Sequence, residues 1–188
     1  MEQTELLQYV LQTLERLQIP YMLVGSFASA AYGEARFTQD IDVVIQLRRG
    51  DVDALCQAFP AEAFYVNREA ALAAWAQGGQ FNVIHPRSGN KIDFLTAVDD
   101  AYGQCQFQRR QRVNILSEVP AYLARPEDVI LGKMRYYAEG GSEKRLRDIT
   151  GILEISGEEV DRTYVARWAA ALGLEEIWRS ILRRMAGE

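Results

Sequence analysis

The sequence predicts an α/β (α+β) protein in which a mixed sheet flanked by helices precedes a helical C-terminal region. Residues 41–47 alternate apolar and polar side chains, which is typical of a half-buried strand. Strand-like runs on either side of PRSGN predict a hairpin, and from Pro126 onward the apolar spacing becomes helical. We therefore expect an α/β domain over residues 1–124, with a helical region over 125–188 packed on it.

Each element follows from a local pattern. Apolar residues at helical spacing, with Thr4 as the expected N-cap, predict the first helix, and a short apolar run predicts the first strand. Gly25-Ser26 then opens a helix of small residues, where an anion would dock. Asp51 is expected to cap the third helix. In chain order, the first half is predicted as helix 4–17, strand 21–24, helix 27–32, strand 41–47, helix 51–59 and helix Arg68–Gln77.

The second half continues with the hairpin and ends in helices. A five-residue loop would place His85 opposite Lys91 and Val83 opposite Asp93, with His85 on the face of Asp93. The cluster Arg109-Arg110-Gln111-Arg112 is expected to be a solvated loop. The remaining predictions are strands 81–85 and 91–96, edge strands 112–116 and 120–124, and helices 126–138, 142–155, 161–172 and 174–185.

The most informative motif is Asp40-Ile41-Asp42. On a strand, the two carboxylates project from one face about 6.6 Å apart along the backbone. If the strand that carries Asp93 lies beside them, three carboxylates share one patch. Two bare carboxylates about 5 Å apart repel by roughly 3 kcal/mol at an effective dielectric of 20. A magnesium ion would relieve that repulsion, and such a cation typically uses one or two protein carboxylates with substrate phosphates and water.

Composition excludes several classes of protein. The chain has 188 residues, is 48% hydrophobic and carries a net charge of −5, which argues against a surface devoted to nonspecific nucleic-acid binding. The segment from Arg87 to Arg147 contains eleven basic and eight acidic residues, so a local basic patch remains an open alternative. Two distant cysteines, no basic apolar leader and no run of 18 apolar residues predict a reduced, cytoplasmic protein with no membrane partner.

The order of these motifs resembles a known superfamily. Gly25-Ser26, then Arg36, Thr38, Asp40 and Asp42, then Asp93 resemble the DNA polymerase β-type nucleotidyltransferases. Within them the chain is most similar to the bacterial minimal and AbiEii-like groups, some of which are toxins of toxin–antitoxin pairs. The resemblance runs from about Val24 to Asp148. EDVILGKMRYY and KRLRDITGIL, which hold Lys133 and Asp148, resemble the downstream lysine and aspartate motif of the group.

The resemblance implies a nucleotidyltransferase fold and a role for each residue. Asp40 and Asp42 would ligate two Mg²⁺ ions, and Asp93 would complete the metal site and help to deprotonate the acceptor hydroxyl. An NTP such as ATP would donate its NMP to an RNA, a protein or a small molecule, and a toxin member would have an antitoxin partner. The residues expected at the nucleotide are Gly25, Ser26, Arg36 and Thr38, with Lys133 on the triphosphate and Asp148 orienting Lys133 or shaping the pocket.

Other interpretations stay open at this point. The domain could bind a nucleotide or a partner protein without catalysis, or the acids could form a structural cation site. Taken alone, Gly25-Ser26 fits a tight turn with a serine cap, and Lys133 fits a solvated helix face. His85, the only histidine, fits a structural role or a substrate contact.

Overall fold

A computed structural model describes residues 1–33, 40–115 and 119–187 of the chain. Within these ranges seven strands form one mixed sheet in the order β3-β4-β5-β2-β1-β7-β6. The pairs β1–β7 and β2–β5 are parallel and the other neighbours are antiparallel. The strands are β1 Tyr21–Leu23, β2 Asp40–Ile45, β3 Tyr65–Val66, β4 Gln80–His85, β5 Asn90–Thr96, β6 Gln111–Ile115 and β7 Val119–Leu123.

The helices confirm most of the predicted elements to within a few residues. The prediction of an α/β (α+β) fold with a mixed sheet and flanking helices is therefore confirmed. The helices are α1 Gln3–Arg16, α2 Gly25–Tyr32, α3 Asp51–Gln57, α4 Arg68–Gln77, α5 Ala101–Arg109, α6 Pro126–Gly140, α7 Glu143–Ile155, α8 Arg162–Ala171 and α9 Glu175–Ala186. None of the described helices is long and apolar enough to cross a membrane.

One face of the sheet forms the core of the first half of the chain. Ile41 of β2 and Phe94 of β5 are fully buried on this face. The Phe94 ring lies 6.1 Å from Phe59, and Tyr9 of α1 stacks on Phe64 at 5.4 Å. Because side chains alternate along a strand, burial of this face turns the acidic residues of β2 and β5 to the opposite one.

The chain divides into two compact units. The first comprises Met1–Phe27 and Phe37–Leu123 and contains the sheet. The second comprises Ala28–Arg36 and Ala124–Glu188, where α6 packs on α7 and α8. Inside the second unit the Tyr32 hydroxyl donates to the Ala124 carbonyl at 2.9 Å, and the Ser156 hydroxyl donates to the Tyr32 carbonyl at 2.6 Å. The boundary between a domain 1–124 and a region 125–188 stays a prediction.

The register predicted for the hairpin is wrong by one residue. Its loop has four residues, 86–89, because Asn90 already pairs with His85. Gly89 closes the turn at φ +73°, where a side chain would be strained, and its amide donates to the His85 carbonyl. Asn82 rather than Val83 therefore lies opposite Asp93.

This register also moves His85 away from the acidic face. The imidazole is buried, with its ring 5.5 Å from Phe64 and its Nδ1 2.8 Å from the Ser88 hydroxyl. The prediction that His85 shares the face of Asp93 is wrong, and the structural interpretation of this histidine is the one that fits.

Four further expectations need correction. The helix α1 is capped by Glu2, whose side chain and that of Glu5 form a capping box, and not by Thr4. Gly50 precedes α3, so Asp51 is its first residue. The predicted basic loop is instead the end of α5 and the start of β6, and the Arg110 guanidinium packs over the Phe107 ring at 4.2 Å. Strand β7 is also not an edge strand, since it lies between β1 and β6.

Candidate active site on the acidic face of the sheet

Two carboxylates project from the first part of β2. Asp40 and Asp42 lie on its partly exposed face, while Ile41 and Val43 are fully buried on the other. Burial of the two apolar neighbours fixes which way the strand faces, because a shift of one residue would bury the aspartates instead. Strand β2 therefore places Asp40 and Asp42 on one face, as the sequence predicts.

The neighbouring strand β5 brings a third carboxylate to the same face. It runs parallel to β2 in a register that pairs Asp42 with Asp93 and Asp40 with Lys91. The structure thus places the three predicted acids together on adjacent strands. A like-charge pair directly across two strands is destabilising, whereas the opposite-charge pair beside it is favourable.

Lys91 joins the acids into one charged cluster. Its ammonium nitrogen lies 2.8 Å from Asp93 Oδ2 and 3.6 Å from Asp40 Oδ1. The hydrogen bond with Asp93 raises the pKa of Lys91 above its ordinary value of 10.5, although desolvation acts in the opposite direction. The repulsion that seemed to require a metal ion is therefore relieved in part by a side chain of the protein.

A second donor reaches Asp93 from the other side. The Asn82 side-chain amide of β4 donates to Asp93 Oδ1 at 2.9 Å, which follows from the corrected hairpin register. Both oxygens of Asp93 thus have a protein donor, and only 14% of its side chain is exposed. The carboxylate is held in one orientation, yet each of its oxygens retains lone pairs for a further contact.

Gly25 begins helix α2 against the carboxylate of Asp42. Its backbone has φ +62°, and an added Cβ would lie 1.9 Å from Asp42 Oδ2. The Val24 amide also donates to the Asp42 carbonyl at 3.0 Å, which ties the end of β1 to β2. With Ser26 as its second residue, α2 begins beside the acids, and the first-turn amides of a helix have no intrahelical partners, an arrangement suited to phosphate oxygens. The Gly-Ser turn and the aspartate pair are therefore neighbours in space.

Lys133 and Asp148 form a buried ion pair within the second unit. The ammonium of Lys133 in α6 lies 2.7 Å from Asp148 Oδ2 in α7, and the two side chains are 3% and 7% exposed. The interpretation of Lys133 as part of a solvated helix face is wrong. The pairing agrees with the expectation that Asp148 orients Lys133, while contact of Lys133 with a triphosphate stays a prediction.

Two predicted nucleotide-binding residues, Arg36 and Thr38, lie outside the described residues. Their expected contacts with the nucleotide stay predictions. The other predicted residues of the first unit, namely Gly25, Ser26, Asp40, Asp42 and Asp93, all belong to β2, β5 and the start of α2.

Carboxylate oxygens are the ligands that Mg²⁺ prefers, and ligation of the ion by Asp40, Asp42 and Asp93 stays a prediction. No three His, Cys, Asp or Glu side chains among the described residues are grouped so that they could hold a metal ion. Asp40 and Asp42 still offer hard oxygen ligands on one face, which suit Mg²⁺ when substrate phosphates supply the remaining ligands. The carboxylate oxygens suit magnesium as ligands. The two oxygens of Asp93 also contact protein donors, the Asn82 amide and the Lys91 ammonium.

The sequence did not lead us to place Lys91 and Asn82 in contact with Asp93. A signal for Lys91 was present, since a residue two before Asp93 on a strand must share its face. No comparable signal existed for Asn82, because its place opposite Asp93 depends on the length of the hairpin loop.

No protein-family model matches the chain, and no curated protein matches it. Several solved structures have a similar fold. A crystal structure of ANT(2")-Ia in complex with adenylyl-2"-tobramycin has 19% identity and a TM-score of 0.59, covering 95% of this chain and 97% of its own. The lincomycin-bound lincosamide antibiotic adenylyltransferase LnuA has 15% identity and a TM-score of 0.55, covering 82% and 98%. An antigenic nucleotidyltransferase-like protein from Paracoccidioides brasiliensis has 21% identity and a TM-score of 0.51, covering 81% and 76%. The chain has the fold of these nucleotidyltransferases.

Proposed function

We propose that this protein is a magnesium-dependent nucleotidyltransferase that moves an NMP from an NTP to a hydroxyl acceptor. The observation that carries the proposal is the alignment of Asp42 with Asp93 on adjacent parallel strands, with Gly25 and the start of α2 against Asp42. An acid cluster beside an anion-binding helix start, on a nucleotidyltransferase fold, supports phosphoryl transfer over a purely structural cation site.

Each residue has a separate task in this proposal. Asp40 and Asp42 would hold the magnesium ion, which supplies charge neutralisation for the phosphates when it is bound. The amides at Gly25 and Ser26 would bind triphosphate oxygens and orient the α-phosphate for in-line attack. The new bond joins the acceptor oxygen to the α-phosphorus, the bond from that phosphorus to the bridging oxygen breaks, and pyrophosphate leaves.

Asp93 is the candidate proton acceptor. It would take the proton of the acceptor hydroxyl while Asn82 and Lys91 keep its carboxylate in place. Arg36, Thr38 and Lys133 complete the proposal as further contacts with the nucleotide, with Asp148 fixing the ammonium of Lys133.

A small hydroxylated molecule is the acceptor class that we propose first, with ATP as the first donor to test. Two structures of similar fold hold such compounds, adenylyl-2"-tobramycin in one and lincomycin in the other. RNA or protein as acceptor, and a toxin role with an antitoxin partner, remain alternatives that the same acceptor screen would detect.

The test is transfer of label from an α-labelled NTP to a panel of small hydroxylated compounds, RNA and proteins. Asp42→Ala and Asp93→Ala should each abolish transfer, whereas Glu62→Gln, which alters an exposed carboxyl between α3 and β3, should not change it. Full transfer by both aspartate variants would overturn the proposal.

A non-catalytic nucleotide- or partner-binding module is the second candidate. One observation favours it: protein donors already occupy both oxygens of Asp93, which is where a catalytic carboxylate is needed. Calorimetry with Mg²⁺ and each NTP, run beside an assay for pyrophosphate release, separates the two functions. Binding without release of pyrophosphate in the presence of every acceptor would support the module.

A further inference from the structure

A cavity of about 500 Å³ opens at the end of the sheet that lies away from the acids. Strands β2 and β5 line it with their last residues, Ile45 and Thr96, which pair with each other. These residues follow Asp42 and Asp93 by three positions, which is about 10 Å along a strand, and their side chains project from the opposite face. The cavity is therefore separate from the candidate active site, and its lining residues belong to the first unit.

Hydrogen bonds and close backbone packing hold the walls of this cavity together. The Thr96 hydroxyl accepts from the Gly79 amide at 2.9 Å, which holds the turn after α4 against β5. On α5, Gly103 lies so close to the end of the preceding loop that an added Cβ would be 2.2 Å from the Val98 carbonyl oxygen. Backbone contacts thus form the cavity before any ligand binds.

Two large apolar side chains in the cavity are accessible to solvent. Trp75 is 38% exposed and Val98 is 50% exposed, and both line the cavity. Exposed apolar residues scattered singly are ordinary, whereas apolar residues that share a concave site of about 300–1,000 Å³ are typical of a small-molecule pocket. The Arg49 guanidinium lies over the Trp75 ring at 5.8 Å and helps to hold it in place. The cavity is therefore suited to a ligand with a flat apolar group.

Within the described part of the chain, the charged side chains that line the cavity are one of each sign. Arg48 belongs to the loop after β2, and Asp99 belongs to the loop after β5. The Gln104 side-chain amide donates to Asp99 Oδ1 at 2.7 Å, and the carboxylate keeps lone pairs for a second donor. A guanidinium binds carboxylates and a carboxylate binds ammonium groups, so the cavity offers a partner for both charges of a zwitterion.

We propose that this cavity is a binding site for a free aromatic amino acid. The ring of the ligand would lie against Trp75 and Val98, its carboxylate would bind Arg48, and its ammonium would bind Asp99. An apolar anion would leave Asp99 without a role and an apolar cation would leave Arg48 without one, so the two charges select a zwitterion. The site is additional to the proposed nucleotidyl transfer and depends on neither a metal ion nor an NTP.

Binding of L-phenylalanine to the full chain tests the proposal, with no metal ion or nucleotide present. The readout is the indole N–H signal of Trp75 in two-dimensional NMR spectra, assigned by its loss in Trp75→Phe. L-Phenylalanine should shift this signal in a saturable titration. Phenylacetate, which lacks the ammonium, and phenethylamine, which lacks the carboxylate, should each bind at least about fivefold more weakly.

Variants of the lining residues identify the site. Arg48→Gln and Asp99→Asn each remove one charge and keep a polar group, and each should weaken binding of L-phenylalanine at least about fivefold. Trp75→Ala should weaken it by a similar factor, measured by calorimetry because the reporter is lost. Arg87→Gln, in the exposed loop between β4 and β5, is the matched control and should bind L-phenylalanine as the wild type does. All four positions are exposed, so circular dichroism of the variants should match that of the wild type.

An unmoved Trp75 signal at about 20 mM L-phenylalanine, where a site with a millimolar Kd is nearly full, would overturn the inference. Equal affinity for phenylacetate or phenethylamine would also overturn it, as would wild-type affinity in both charge variants. None of these measurements involves Asp42 or transfer of a nucleotide. Failure of this inference therefore leaves the proposed function standing, and a chain that transfers no nucleotide can still bind L-phenylalanine.

Discussion

Replacement of Gly25 by alanine tests the contact between the helix start and the acids. The added Cβ would lie 1.9 Å from Asp42 Oδ2, 2.6 Å from its Cγ and 2.8 Å from its Cβ. No side-chain atoms approach so closely, so Asp42 must rotate and the backbone of α2 must shift. The backbone at φ +62° also disfavours any residue with a side chain.

These two effects set the magnitude. The left-handed backbone costs about 1–2 kcal/mol for alanine. Turning Asp42 out of its preferred rotamer adds about 0.5–1.5 kcal/mol, and the remaining Cβ contact adds further strain. We expect Gly25→Ala to lower the free energy of unfolding by about 2–4 kcal/mol. For a chain of this length that corresponds to a fall of roughly 5–12 °C in melting temperature.

The assay is thermal and urea unfolding in EDTA, followed by circular dichroism. Gly89→Ala is the matched control because Gly89 also has a positive φ, of +73°, with no atom within 4 Å of an added Cβ. It should cost only the backbone component, about 1–2 kcal/mol.

A double-variant cycle isolates the contact. Asp42→Ala removes the two atoms closest to the new methyl group and leaves Cβ at 2.8 Å. In that background Gly25→Ala should cost at least about 1 kcal/mol less than it does in the wild type. Equal costs in the two backgrounds, within about 0.5 kcal/mol, would refute the contact as the cause.

Three other predictions concern the rest of the molecule. Lys133→Met should lower the free energy of unfolding in urea by about 3–5 kcal/mol, because it leaves the buried carboxylate of Asp148 without its ammonium partner. The double variant Lys133→Met with Asp148→Leu should have a free energy of unfolding close to that of the wild type. A double variant as unstable as the single one would contradict this. Burial, followed by the charge of nearby Asp53, raises the pKa of the Cys56 thiol. In a Cys105→Ser background, alkylation of Cys56 near neutral pH should therefore be at least about threefold slower than in the unfolded chain and should accelerate as the pH rises. Equal alkylation rates in the folded and unfolded chains would count against this prediction. Asn82→Ala should cost about 1 kcal/mol in the same unfolding assay, and a cost near zero would show that its hydrogen bond to the acidic face contributes nothing.

Alternation along the strands predicted the part of the site that depends on local periodicity. Asp40 and Asp42 share a face because Ile41 and Val43 must be buried, and sequence alone is sufficient to see this. Adjacency of the strand with Asp93 was an assumption at that stage, and the parallel pairing supplies it.

Features that depend on turn geometry could not be predicted in the same way. The segment PRSGN allows a loop of four or five residues, and Gly89 in the left-handed region selects four. That single residue decides whether Val83 or Asn82 lies opposite Asp93. Helix α5 was missed since its start depends on a cap, with Asp100 accepting from the Gly103 amide at 2.6 Å, more than on apolar spacing.

The charge balance of the site was predicted incompletely for a physical reason. Carboxylate repulsion was assigned wholly to a metal ion, although a lysine on the same strand face competes for the same task. Only the three-dimensional register shows that Lys91 stands opposite Asp40 and within reach of Asp93.

The parallel pairing of β2 with β5 has a consequence for synthesis of the chain. Strand β5 follows β2 by about fifty residues, so at about 5–20 residues per second it emerges several seconds later. Until then Asp40 and Asp42 have no acidic neighbour from β5. The strand that delivers the third carboxylate delivers Lys91 two residues ahead of it, so Asp93 is brought to the growing sheet together with the ammonium that neutralises it.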